Sequence, residues 1–92
     1  MYKVRISTQV ESFLRRVAPE PRRKLKGAIG GLARQQGDVK VLEDDLAGFW
    51  RLRVGRFRVV FCYTDIQTID CIFVEERRLV YEVFGALLKE KL

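Results

Sequence analysis

Histidine is absent from the 92 residues, and cysteine occurs only at Cys62 and Cys71. The missing imidazole removes the commonest general base and the commonest zinc ligand together. Two thiols are too few for a structural zinc site without carboxylates, so no metal and no small-molecule cofactor is expected. Both thiols read as reduced groups in or near the core of a cytosolic chain. Long apolar runs are missing too. None approaches the ~18 residues that a spanning helix needs, and Lys3 and Arg5 are followed by no apolar stretch of the kind a secretory leader carries. The expected location is the cytoplasm, away from any membrane. Repeats, low-complexity tracts and linker-like segments are also lacking, so residues 1–92 read as a single domain.

What is abundant is positive charge. The chain carries a net charge of +6 and a pI of about 9.7, with 48% hydrophobic and 33% charged residues. That balance fits a globular chain with a modest core. It favours polyanionic partners, either nucleic acid or an acidic protein segment.

Periodicity supplies the elements. Tyr2 to Ile6 alternates as a short strand. Ser7 or Thr8 caps a helix presenting Val10, Phe13, Leu14 and Val17 on one side. Pro19 and Pro21 break it, and Pro21 suits the first turn of a second helix. That helix carries Leu25, Ala28, Ile29 and Leu32 and is expected to end near Gly37. Gly27, Gly30 and Gly31 fall inside it, where close packing on a sheet is the expected reason. Asp38 to Asp45 reads as a connector. Strand-like runs follow at about 49–54, 57–64 and 68–75, and Leu79 to Leu92 is helical by the spacing of Val80, Val83, Phe84, Leu87 and Leu88. The expected fold is α+β: one antiparallel-rich sheet of about four strands, two N-terminal helices on one face and a C-terminal helix.

The segment FWRLRVGRFRVVF, Phe49 to Phe61, holds four arginines and no acid. Gly55-Arg56 fits a two-residue turn with glycine first. The turn sets a register pairing Val54 with Phe57, Leu52 with Val59 and Trp50 with Phe61, all on one face. On the other face Arg53 lies opposite Arg58, and Arg51 opposite Val60, while Arg56 caps the turn. Like charges facing each other across strands cost some tenths of a kcal/mol. The cluster is either a solvated polar face or an anion site, and three arginines together favour the latter.

A second hairpin turning at Ile66-Gln67 pairs Cys62 with Cys71 and Arg58 with Glu75. Arg77 then falls beside Arg56, and Glu75 is expected to neutralise part of the cluster. Val60, Cys62, Cys71 and Phe73 leave the far half of this face apolar, for the terminal helix or a partner's helix to cover. A further basic run, Arg15 to Lys26, contains Arg22, Arg23 and Lys26 on outer helix faces. It reads as a solvated surface or a path for a nucleic-acid backbone.

KVLEDDLAGFWRLRVGRFRVVF (Lys40 to Phe61) and VEERRLVY (Val74 to Tyr81), with the helix pair before them and the order of elements, resemble the RelE-like branch of the RelE/ParE toxin superfamily of bacterial toxin–antitoxin systems. The resemblance covers nearly the whole chain. It implies a toxin that enters the ribosomal A site and cleaves messenger RNA by attack of a ribose 2′-hydroxyl on the adjacent phosphate, inhibiting translation. It implies Arg51, Arg53, Arg58, Arg77 and Tyr81 as catalytic positions, with Arg56 and Arg78 as further RNA contacts. It also implies a cognate antitoxin whose acidic and apolar side chains cover the basic face.

Fixed guanidinium donors suit the charge that gathers on a phosphorane-like transition state. Tyr81 would stack on a base or pass a proton; packing of the terminal helix is its structural alternative. The family often has lysine at Arg51 or Arg53, and histidine or lysine where this chain has Glu76. Arginine is a poor proton acceptor, so the candidates for moving the proton are Tyr81, Glu76 or an imperfectly placed arginine. A gyrase-inhibiting toxin and a non-catalytic nucleic-acid-binding module remain the alternatives.

Overall fold

Ser7 joins the first two elements and pins a third. The first strand, β1 (Lys3–Ile6), leads into α1 (Thr8–Arg16). Ser7 is extended (φ −76°, ψ 169°), and its hydroxyl accepts the Val10 N–H at 3.2 Å. This satisfies one donor that the first helical turn leaves unpaired. The same hydroxyl donates to the Ile72 carbonyl at 2.8 Å. Val10, Phe13 and Leu14 bury the inward face of α1. Its C-terminal carbonyls are closed by Arg22, which donates to Leu14, Val17 and Arg15 oxygens at 2.7, 2.9 and 3.2 Å. Arg22 belongs to α2 (Pro19–Gly31), whose first turn holds both prolines.

The computed structural model describes residues 1–90. After α2 come β2 (Asp38–Val41), β3 (Trp50–Val54), β4 (Phe57–Asp65), β5 (Thr68–Glu76) and α3 (Val80–Glu90). Lys91 and Leu92, expected at the end of the last helix, lie outside the described residues. The sheet runs β1-β5-β4-β3-β2, with β1 parallel to β5 and every other pair antiparallel. The α+β class and the two helices on one face are as expected.

Helices α1 and α2 cover one face of this sheet. Val10, Phe13, Leu14, Leu25, Ile29 and Leu32 meet Leu52, Phe57, Val59, Phe61, Ile69, Cys71 and Val74 in the main core. Helix α3 covers part of the opposite face, where Val80 and Phe84 pack on Val60 and Phe73. No helix is long and apolar enough to cross a membrane among the described residues.

Four expectations need correction. The sheet has five strands, because Asp38–Val41 is an edge strand and not a connector. Its four residues alternate, with Val39 packed against the main core opposite Leu52, but so short a run carries little local signal. Helix α2 stops at Gly31, and the 3-10 turn Leu32–Arg34 follows before Gln35 takes a left-handed conformation at φ 54°. Gly27 and Gly30 have open space where a Cβ would stand, so close packing does not account for them.

The last correction concerns the cysteines. Ile72 forms a bulge between the pairs Val60↔Phe73 and Phe61↔Cys71, so Cys62 faces Asp70 and not Cys71. An extra residue on one strand moves every later side chain to the other face. Cys71 therefore joins the main core beside Phe61, and both thiols are free.

Candidate functional site

The turn at Gly55 (φ +58°) makes β3 and β4 neighbours in the expected register. A left-handed φ at the first turn residue is what a two-residue turn of this class demands, and glycine adopts it without steric cost. Trp50, Leu52 and Val54 then share the helix-covered side with Phe57, Val59 and Phe61. Arg51, Arg53 and Arg58 share the other.

With β2 and β5 in place, one row of paired residues crosses four strands: Asp38, Arg53, Arg58, Glu75. The next row is Lys40, Arg51, Val60, Phe73. The first row is formally balanced, yet its two acids behave differently. Asp38 accepts from Arg51 Nη1 at its carboxylate (3.1 Å) and its backbone oxygen (2.9 Å), and lies 3.8 Å from Arg53 Nη1. Glu75 instead accepts the backbone N–H of Glu76 at 2.9 Å. Among the described residues it forms no ion pair with an arginine, so it does not neutralise the cluster as expected.

Arg58 is the most constrained of the three. It is half-buried, and its Nη1 donates to the Gly55 and Phe57 carbonyls, each at 2.8 Å. No carboxylate lies within ion-pair distance of it among the described residues. Burial first, then the charge of Arg53, with smaller contributions from Arg51 and Arg77, pushes its pKa below the ordinary arginine value; Tyr81 opposes the shift. A guanidinium stays charged at neutral pH regardless. The shift thus records first a partly desolvated cation and then its cationic neighbours, both of which a bound anion would relieve.

Arg77 comes within electrostatic reach of Arg58 because β5 is extended by one further bond, from the Arg77 N–H to the Arg56 oxygen at 2.8 Å. Arg78 is exposed in the turn before α3. Tyr81 is half-buried at the edge of the α3 cluster, packed with Val60, Phe73, Val80 and Phe84. It packs the terminal helix on the sheet and also stands within electrostatic reach of Arg58. Phe84 anchors this side, with its ring 5.0 Å from Phe49 and 5.8 Å from Phe73 between centroids.

Other candidate residues lie elsewhere. The Arg56 guanidinium sits 5.0 Å from the centroid of the Phe57 ring, which belongs to the main core. Arg22, Arg23 and Lys26 are on α2, in the layer covering the opposite sheet face. Arg22 is committed to the end of α1. The residue that sequence reading missed is Asp38. Its only signal was the alternation of Asp-Val-Lys-Val, which places Asp38 and Lys40 on one side of a strand.

The thiols are poor nucleophiles. Burial, then Asp70 and Cys62, pushes Cys71 up to about 12. Burial and Asp70 also raise Cys62. Guanidinium groups and a phenol dominate this side of the sheet, a donor set whose chemistry suits an anion.

No protein-family model matches the chain, and no curated protein matches it by sequence. Solved structures do. A chain of the RelBE2 toxin–antitoxin complex from Mycobacterium tuberculosis superposes with a TM-score of 0.72 at 24% identity, over 83% of this chain and 91% of that one. A chain of the RelB-RelE antitoxin–toxin complex from Methanococcus jannaschii gives 0.69 at 20% identity, over 87% and 98%. The YoeB/ParE toxin from Agrobacterium tumefaciens gives 0.67 at 20%, over 82% and 98%. The chain has the RelE-like toxin fold. The expected α+β architecture holds with one strand more.

Proposed function

We propose that this RelE-like chain is the toxin of a toxin–antitoxin pair and an endonuclease of messenger RNA on translating ribosomes. The observation that carries the reading is Arg58: a fixed guanidinium without an acidic partner among the described residues, flanked by Arg53, Arg51, Arg77 and Tyr81. In this reading the scissile phosphate sits over Arg58, and Arg53 and Arg77 hold its non-bridging oxygens as negative charge builds on them. The 2′-oxygen bonds to that phosphorus and the bond to the 5′-oxygen of the next nucleotide breaks, leaving a cyclic phosphate. The 2′-hydroxyl proton is passed on through Tyr81, Glu76 or water, and the departing 5′-oxygen takes up a proton to leave as an alcohol. Tyr81 passes a proton or stacks on a base. Positioning and electrostatics supply most of the rate, since arginine accepts protons poorly.

Similarity to chains from complexes of RelE with RelB supports a cognate antitoxin. The antitoxin's acidic and apolar side chains would meet the arginine face and α3. The working location is the cytoplasm, where ribosomes are. The test is induction of the protein in growing cells with mapping of transcript ends. Cuts inside translated codons are expected. DNA damage with intact messages would replace the reading with gyrase inhibition, and absence of any growth effect would replace it with a non-catalytic module.

A further inference from the structure

We infer that Asp38 is a positioning residue for the arginine clamp, a role that rests on the nuclease reading above. Asp38 sits on the edge strand β2, directly across from Arg53 and diagonal to Arg51. It holds Arg51 through a single nitrogen, Nη1, which meets both the Asp38 carboxylate and the Asp38 carbonyl. The Arg51 side chain is only 16% exposed, whereas Arg53 and Asp38 are 57% and 54% exposed. Nε and Nη2 of Arg51 have no intramolecular partner among the described residues, so its outer edge keeps two donors for a phosphate.

An arginine tied down in the folded protein has already lost its rotamer freedom, and that entropy is not charged again when substrate binds. Orientation is what the tether supplies, and orientation can carry a large part of a barrier. The tether has an opposite effect on affinity. One carboxylate among three guanidinium groups reduces the cationic charge that draws in any RNA backbone. Asp38 thus gives up some non-specific binding in return for placement. Glu75, its counterpart at the other end of the row, turns to the Glu76 backbone N–H and has no such role.

These two effects have opposite signs in one variant. With the full chain, Asp38→Asn and Asp38→Glu are compared with wild type in two assays. One is cleavage of ribosome-bound message. The other is anisotropy of a labelled single-stranded RNA made non-cleavable by 2′-deoxy substitution, over a range of salt. Asp38→Asn is expected to bind that RNA as tightly as wild type or tighter, with a log–log salt slope steeper by about 0.7, one extra neutralised phosphate on a single strand. Its cleavage should fall at least tenfold, and Asp38→Glu should recover part of the loss. Unchanged cleavage in Asp38→Asn would overturn the positioning role while leaving the nuclease reading intact. Parallel loss of binding, cleavage and thermal stability would also overturn it, in favour of a purely structural pair. A wild-type protein that neither binds nor cuts RNA would instead remove the reading on which the role rests.

Discussion

The two faces of one sheet have been used in different ways. The face under α1 and α2 is closed: Leu52, Val59, Phe61, Ile69 and Cys71 are fully buried. The face bearing α3 is closed over only part of its width, by Val80 and Phe84 on Val60 and Phe73. Beside that patch it opens into Arg51, Arg53 and Arg58. Two helices of apolar surface stabilise the fold from one side, which leaves the other side free to hold like charges together at a cost of tenths of a kcal/mol each. The core and the arginine cluster are thereby separated by the thickness of a sheet.

The largest expected effect tests that division directly. Phe61→Ala removes a wholly buried ring of the closed face and should cost about 3–5 kcal/mol, enough to unfold a marginal domain. Phe84→Ala on the half-open face should cost less and should show first as faster hydrogen exchange in α3, because that cluster is smaller and joined to the rest mainly through β5. Equal global unfolding in both would erase the distinction between faces.

Arg58→Ala should act in the opposite sense. Cleavage should fall about a hundredfold or more, the scale of losing one fixed transition-state donor. The melting temperature should hardly move, since the lost bonds to Gly55 and Phe57 are offset by relief from Arg53. Full cleavage by a folded Arg58→Ala protein would empty the open face of its assigned purpose.

Alkaline titration sharpens the picture of the closed face. The Cys71 thiol is held protonated up to about 12 in the fold, against an ordinary 9.0. Above 9.0 the unfolded chain has lost a proton that the native chain keeps, so stability falls as pH rises across that window. Cys71→Ala should make the slope of unfolding free energy against pH shallower there, whatever its absolute stability. An unchanged slope would place the thiol in a wetter site.

The smallest effect lies on the outer layer. Gly27→Ala and Gly30→Ala have open space for the new methyl group and should each stabilise α2 by about 0.5–1 kcal/mol, read from denaturant midpoints. Destabilisation in either would show that these positions are in contact with something else.

Much of this was legible in the chain because the deciding signals were local. Gly55-Arg56 set the β3–β4 register, and the Arg53–Arg58 and Arg51–Val60 pairings followed from alternation. The spacing of Val10, Phe13 and Leu14 marked the buried side of α1. What stayed hidden depended on partners far along the chain. Strand β2 is four residues long and is recognisable only once β3 lies against it. The Ile72 bulge has no sequence mark, although Ser7, sixty-five positions earlier, takes its carbonyl. Arg22 looks like a surface cation and is a helix cap.

Composition and alternation alone determined that this is a basic α+β chain with its arginines gathered on one side of a meander, because charge and strand period are properties of neighbouring residues. Which of those arginines are tethered and which are free was decided by the tertiary structure. Asp38 reaches Arg51 and Arg53 only through the β2–β3 pairing, and Glu75, at the other end of the same row, turns away to the backbone N–H of Glu76. Ion pairs form within about 4 Å, and only the folded chain brings residues thirteen positions apart to that distance.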